Sequence, residues 1–266
     1  MDQDSTPLTL TFTFLGTGTS QGVPVISCRC PVCQSDDPRD RRLRTSGLLQ
    51  GGDTSVVFDT GPDFRQQMLR EQVDDLSAVV FTHQHKDHTA GLDDVRAYNY
   101  LQQKDMPIYL TEAVEAHLRK EYYYIFEQPD YPGIPKLQLH RIDPAQPLRI
   151  GDLTLTPIPL WHGNMPVLGY RCGDFAYLTD VNQIPEASMA LLRGVKVLAL
   201  DALRREPHHS HFTLKEAVAV ARQLQAEQTW LLHLSHLMGT HAGTEAELPP
   251  DIRLAYDGLK LTIDPT

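Results

Sequence analysis

Threonine alternates with apolar residues from 8 to 15, the period-two pattern of a half-buried strand. A glycine-rich loop follows, Gly16-Thr17-Gly18-Thr19-Ser20-Gln21-Gly22. Residues 46–49 and 55–59 predict a hairpin around Gly51-Gly52-Asp53. A short helix is predicted from Pro62-Asp63, with Phe64, Met68 and Leu69 on one face, and 78–81 form a short apolar strand. Further strands are predicted at 153–158, 169–172, 175–179, 195–200 and 230–234. The clearest helix follows Thr213. Thr213 and Glu216 have capping-box spacing, and Leu214, Ala217, Val218, Ala221 and Leu224 recur with helical period. Strands come first in each half, then strands and helices alternate. That pattern predicts an α/β sandwich in which two sheets share a core and helices cover the outside. With no repeat, linker or low-complexity stretch, residues 1–266 read as one domain. A segment at about 97–141 carries seven of the ten tyrosines and is expected to be a helical insert packed on the body; a lid or a homodimer surface is the sharper reading of the same residues.

Composition narrows the class. The chain has 24 Lys+Arg against 34 Asp+Glu, a net charge of −10, which argues against a protein built to grip nucleic-acid phosphates. No apolar run reaches membrane-spanning length, and Met1-Asp2-Gln3-Asp4-Ser5 is acidic rather than signal-like, so a cytoplasmic location is expected. The 12 histidines are many for an acidic chain and point to metal. Three of the four cysteines crowd into Cys28-Arg29-Cys30-Pro31-Val32-Cys33, which in the cytosol reads as a metal site rather than as disulfides, whereas Cys172 reads as a small buried hydrophobe.

The strongest signal is His83-Gln84-His85-Lys86-Asp87-His88, directly after an apolar strand. Alternate residues of an extended segment point the same way, so His83 and His85 can grip one ion. A turn then lets Asp87 and His88 face a second ion. Lys86 is out of place there unless it points away from the metals. Two ions need more ligands, and His162, Asp180 and His233 each stand at the end of a predicted strand.

On these residues, and on Phe58-Asp59-Thr60-Gly61, the chain resembles the metallo-β-lactamase superfamily from about residue 10 to 258. The resemblance implies a four-layer αβ/βα sandwich. It implies that His83, His85 and His162 hold one metal, that Asp87, His88 and His233 hold the other, that Asp180 bridges them, and that Asp59 orients the histidine loop. Three cysteines leave a tetrahedral zinc one ligand short, and His236, three residues after His233, can supply the fourth. With the glycine-rich loop and the His-x-x-His pair, this resembles the phosphodiesterase subgroup of phosphonate breakdown that opens phosphoribosyl cyclic phosphate, related to ribonuclease Z. That resemblance implies a structural zinc at Cys28, Cys30, Cys33 and His236.

The expected chemistry is hydrolysis of a small or cyclic phosphate ester at two divalent ions (Zn, Mn or Fe), which can share a water and lower its pKa. Asp87 and His211 are the candidate catalytic residues. His211 precedes the capped helix, where the dipole favours a neutral imidazole and a nearby phosphate; the subgroup has a phosphate-contacting histidine at the matching place. His208 and His209 are less favoured, and His117, His140 and His241 read as ordinary surface residues. The loop at 16–20 lacks a nucleotide fingerprint, and its glycines are expected to let the backbone pass close to the metal centre. The competing readings are a ribonuclease Z-like tRNA endonuclease, a thioester or lactam hydrolase, and a non-catalytic scaffold. The acidic charge counts against the first, the cysteine loop and His211 against the second, and the complete ligand set against the third.

Overall fold

A computed structural model describes residues 8–127 and 132–264; Tyr131 and the acidic opening residues lie outside the described residues. The first sheet contains β1 (Leu10–Gly16), β2 (Ser46–Gly51), β3 (Thr54–Phe58), β4 (Ala78–Val80), β5 (Met106–Leu110) and β6 (Leu137–Arg141). The second contains β7 (Leu148–Ile150), β8 (Leu153–His162), β9 (Met165–Cys172), β10 (Phe175–Leu178), β11 (Val197–Asp201), β12 (Gln228–Leu232) and β13 (Ile252–Leu254), after which β14 (Lys260–Ile263) returns to the first. The strand orders are β14-β1-β2-β3-β4-β5-β6 and β13-β12-β11-β10-β9-β8-β7. Each sheet is antiparallel along one flank and parallel along the other. In the first, β3, β4, β5 and β6 run parallel; in the second, β10, β11, β12 and β13 do. Parallel strands bring their C-terminal ends to one edge, and the loops leaving those ends carry Asp59, His83, Asp180 and His233.

The alternation along the strands explains the layers. Phe12, Phe14, Phe58, Phe175 and Tyr177 face the space between the sheets, while Leu15, Val57, Val79 and Leu178 face outward under helices. Phe12 joins the two sheets, its ring centroid lying 4.5 Å from Phe175 and 5.5 Å from Tyr177. Each ring removed from water contributes about 1.5–3 kcal/mol. Outside the first sheet lie α1 (Phe64–Glu71), α2 (Lys86–Thr89), α3 (Arg96–Gln102), α4 (Glu112–Glu121) and α5 (Tyr123–Glu127). Outside the second lie α6 (Glu186–Leu191) and α7 (Leu214–Leu224), with α8 (His241–Glu245) near β13. The capping box at Thr213 and Glu216 is formed in full, and Leu214, Ala217, Ala221 and Leu224 are buried on the second sheet.

Several local expectations are corrected. Leu69 is exposed; α1 buries Phe64, Gln67 and Met68, and the Gln67 amide donates to the Arg44 carbonyl at 2.8 Å. The segment at 97–141 is not wholly a helical flap, because β5 and β6 within it extend the first sheet. Its tyrosines largely pack: the hydroxyl of Tyr98 donates to the Val73 carbonyl, that of Tyr122 to the Thr89 carbonyl and that of Tyr124 to Asp93. The last two steady the chain just after the histidine loop. Gly16 and Gly18 permit close approach of a different partner from the one expected. A Cβ on either would strike the backbone of residues 42–44. Gly18 then bridges Arg44 to Leu234, beside His233. His241 is buried, with ring nitrogens 3.1 Å from Arg42 and 3.1 Å from Glu245; His117 and His140 are half-buried. Cys172 is buried, as expected for a small apolar side chain.

Candidate metal centre

The structure gathers all seven predicted active-site ligands. Ligand atoms of His83, His85, His162 and Asp180 lie within 4.8 Å of one another, and so do those of Asp87, His88, Asp180 and His233. Asp180 belongs to both groups, the position expected of a bridge. Three residues of this edge adopt positive φ without being glycine: Asp59 at 64°, Asp180 at 52° and His233 at 61°. Each directly follows a parallel strand or its last turn, and the left-handed backbone turns the side chain inward. Such conformations cost on the order of 1–3 kcal/mol and cluster where a site needs them.

Hydrogen bonds fix which ring nitrogen faces the centre. His162 Nδ1 lies 2.7 Å from the Ser210 carbonyl, which can only accept, so Nδ1 carries the proton and Nε2 the lone pair. His88 Nδ1 lies 2.7 Å from Asp59 Oδ2. The Thr82 hydroxyl donates to the same Asp59 oxygen at 2.8 Å, so it must accept from His83 Nδ1 at 2.9 Å. Asp59 thus orients His88 directly and His83 through Thr82, as expected of a carboxylate behind metal-bound histidines. His83 Nε2 and His88 Nε2 are left buried with no hydrogen-bond partner. Burial holds His83 well below the ordinary imidazole range, so its Nε2 keeps a lone pair, whereas Asp180, Asp87 and Asp59 overcome burial at His88 and favour a positive charge there, a place a bound cation would take over from the proton. Orphaned nitrogen lone pairs among buried carboxylates are a donor set that fits divalent cations. Lys86 does point away, its ammonium 2.7 Å from Glu121 at the end of α4.

His211 stands against this centre, its ring centroid 4.5 Å from that of His162 and 4.7 Å from that of His233. The expectation of a neutral imidazole is overturned by a residue that sequence reading missed. Asp201, fully buried at the end of β11, lies 3.0 Å from His211 Nδ1 and accepts from the Phe212 N–H at 3.2 Å. Burial disfavours the imidazolium, but the Asp201 charge outweighs it and pushes His211 up to about 9. The one available signal was a carboxylate at a strand end, the same signal that marked Asp180.

The second cluster is also assembled. His236 Nδ1 lies 3.3, 3.4 and 3.5 Å from the sulfurs of Cys28, Cys30 and Cys33. Zinc bonds of about 2.3 Å to sulfur and 2.0–2.1 Å to nitrogen at tetrahedral angles imply an S···N separation of about 3.6 Å. None of the cysteines is in a disulfide. Donation from the Cys33 backbone N–H is the main influence holding the Cys30 thiol down to about 6, which favours the thiolate. One turn therefore directs His233 to one cluster and His236 to the other.

Fold and ligand set together define a metal-dependent hydrolase, and a family model described as a Beta-lactamase superfamily domain matches residues 54–234, so the chain belongs to that superfamily. Among solved structures, a diphosphatase from the PhnP family is 42% identical, with a TM-score of 0.91 over 97% of this chain and 99% of that one. Zn²⁺-bound PqqB from Methylobacterium extorquens shares the fold at 18% identity, with a TM-score of 0.77 over 94% of this chain and 99% of that one. A Porphyromonas gingivalis protein named octanoyltransferase is 39% identical over 252 residues, which are 94% of this chain and 51% of that one; the chain thus spans about half the length of that relative. Ribonuclease Z of Mycobacterium sp. (strain KMS) is 25% identical over 187 residues, 64% of this chain and 66% of that one. Among the described residues no helix is long and apolar enough to cross a membrane.

Proposed function

We propose that the chain is a dinuclear metal-dependent phosphodiesterase acting on a small or cyclic phosphate ester. The observation that carries this reading is the convergence of two ligand groups on Asp180 with the Asp201-held imidazole of His211 against them. His83, His85, His162 and Asp180 would hold one ion, and Asp87, His88, His233 and Asp180 the other; this imidazole and carboxylate set suits Zn, Mn or Fe. Bound there, divalent ions supply a water of lowered pKa and neutralise phosphoryl charge. The remaining roles fall to side chains. Asp201 accepts a hydrogen bond from the Nδ1–H of His211, leaving the Nε2 proton for the departing oxygen. The Phe212 N–H fixes the second Asp201 oxygen, so the imidazole cannot swing away. The carboxylate of Asp87 is kept ionised beside His88 despite its burial, which suits it to bind metal. Cys28, Cys30, Cys33 and His236 would hold a structural zinc that pins the cysteine loop to the segment supplying His233.

A second reading, cleavage of a P–O–P diphosphate, is favoured by the 42% identity to the PhnP-family diphosphatase over nearly the whole of both chains. Octanoyl transfer is not carried over, since that name belongs to a chain about twice as long. A transfer-RNA substrate fits poorly with a net charge of −10. The test is metal analysis combined with assays on bis(p-nitrophenyl) phosphate, diadenosine diphosphate and an acyl thioester. Hydrolysis of a phosphate substrate that disappears in Asp180→Ala, with the fold retained by circular dichroism, is the expected result. Activity confined to the thioester would overturn the reading.

A further inference from the structure

The run His208-His209-Ser210-His211 has so far lent only its last member to the chemistry. The ring of His208 stands beside His211, with centroids 5.2 Å apart, and exposed His209 lies 4.3 Å beyond it. The imidazoles therefore form a row leading outward from the metal ligands. His208 has a fixed tautomer. Its Nδ1 lies 3.4 Å from the backbone nitrogen of Ser210 and 3.3 Å from the Ser210 hydroxyl oxygen. A backbone N–H can only donate, so Nδ1 accepts, and the ring proton sits on Nε2. Among the described residues Nε2 has no partner, and the ring is half-buried. The loop presenting it is held on both sides. The Ser210 carbonyl accepts from His162 at 2.7 Å, and the Asn182 side chain donates to the His209 carbonyl at 3.1 Å while accepting from the Gly163 N–H at 2.8 Å. The Nε2–H is thus an unused donor on an anchored loop, one ring away from His211, and is available to a substrate oxygen.

We propose that His208 is a specificity-determining residue whose Nε2–H donates to a non-bridging oxygen of a leaving group that is itself a phosphoryl group. The inference deepens the diphosphate reading of the same site and rests on it. In the reaction, the oxygen of water joins the attacked phosphorus, one water proton stays on it and the other is released to solvent, from which His211 is later reprotonated, and the P–O bond to the bridging oxygen breaks. That oxygen keeps the electron pair and takes the proton from His211, while His208 holds a neighbouring oxygen of the departing phosphate. A P–O–P unit carries further phosphoryl oxygens on its leaving side for a donor beside His211, whereas an alkoxide or phenoxide has none to offer.

The test uses the metal-loaded protein and two variants. His208→Asn keeps an acceptor near Nδ1 and removes Nε2, whereas His208→Gln places its amide nitrogen near the Nε2 position. A lost hydrogen bond to a charged group lowers kcat/KM for diadenosine diphosphate by about 10–100-fold in His208→Asn, while bis(p-nitrophenyl) phosphate changes by less than about threefold. Calorimetric binding of inorganic pyrophosphate, which needs no turnover, weakens in parallel. His208→Gln recovers most of both losses, with metal content and Tm unchanged throughout. Unaltered turnover and pyrophosphate binding in His208→Asn would overturn the assignment. So would equal losses on both substrates, or a loss that follows a fallen Tm or metal content. Should the unaltered protein hydrolyse neither substrate, the phosphoesterase reading fails, and pyrophosphate binding alone still decides the role of His208.

Discussion

Asp201→Asn removes one charge while nearly preserving shape. In the protein Asp201 Oδ1 lies 3.0 Å from His211 Nδ1, and both residues are buried. Burial alone drives an imidazole toward its neutral form, so the position of His211 at about 9 reflects the Asp201 charge overcoming that burial. Relative to an ordinary imidazole near 6.5, the difference is worth about 3 kcal/mol in favour of the cation. Asparagine has one acceptor oxygen for the two bonds that Asp201 receives, from His211 and from the Phe212 N–H, and it supplies no charge, so desolvation then dominates and His211 falls below its ordinary value. The sign follows directly. A general acid works while protonated, so its contribution is present below its pKa and lost as pH rises through it. Bound cations repel the imidazolium, so the loaded wild-type protein should lose activity at or somewhat below about pH 9, and the variant should lose it at distinctly lower pH. Near pH 7.5 the expected fall in kcat/KM is about 100-fold, the lower end of a typical general-acid contribution. The assay is kcat/KM across the pH range, with metal content measured on the same samples. A variant whose alkaline limb superimposes on that of the wild type would refute the reasoning. So would a loss that merely tracks missing metal.

The other predictions concern the residues behind the ligands. Cys30→Ala should release the structural zinc, loosen the cysteine loop, and lower both Tm and turnover without touching an active-site ligand; elemental analysis should fall from about three metals per chain to about two, and unchanged Tm and turnover would refute the role. Asp59→Asn weakens the bond that orients His88 and, through Thr82, His83, so chelator competition should show active-site metal affinity about 10–100-fold lower, and an unchanged affinity would refute the orienting role. Glu121→Gln frees Lys86 to swing toward the centre; metal affinity should drop, Tm should hardly move because the ion pair is exposed, and Lys86→Gln added to it should restore the affinity. Equal metal affinity in the single and double variants would mean that the pair is incidental.

The candidate metal centre was legible because its predicted ligands sit where chemistry forces a visible pattern. His83 to His88 form a compact motif behind an apolar strand, and Asp180 and His233 end strands of clear alternation. The layers followed from the same alternation, since one strand can face both the inter-sheet core and the helices. The residues that were missed act through partners distant in sequence. Thr82 matters because its single proton goes to Asp59, and Asp201 because β11 ends beside the loop carrying His211. Nothing in the residue types separates Asp201 from an idle strand-end carboxylate. The segment at 97–141 hides two short strands behind its tyrosines: β5 contains Pro107, a residue that weakens a strand signal, and β6 is a half-buried edge strand with weak contrast. Leu69 was misplaced by one position on the wheel, the inner arc of α1 running through Phe64, Gln67 and Met68.

The two ligand clusters differ in how much of the folded chain must be in place before they exist. Between Asp59 and His233, the residues that build the active centre leave the ends of strands in both sheets, and only the 83–88 loop is local. The full donor set exists only once the sheets have closed over Phe12 and Phe175. Closing loops of that length is slow, and an ion that binds only the closed state can lock the chain but cannot template it. The cysteine cluster has the opposite character, with three of its four ligands inside Cys28–Cys33. Zinc could gather that loop early, and the capture of His236 by the loop would then draw in the neighbouring turn that bears His233. Uptake of the structural ion would in this way precede, and help to complete, assembly of the catalytic pair.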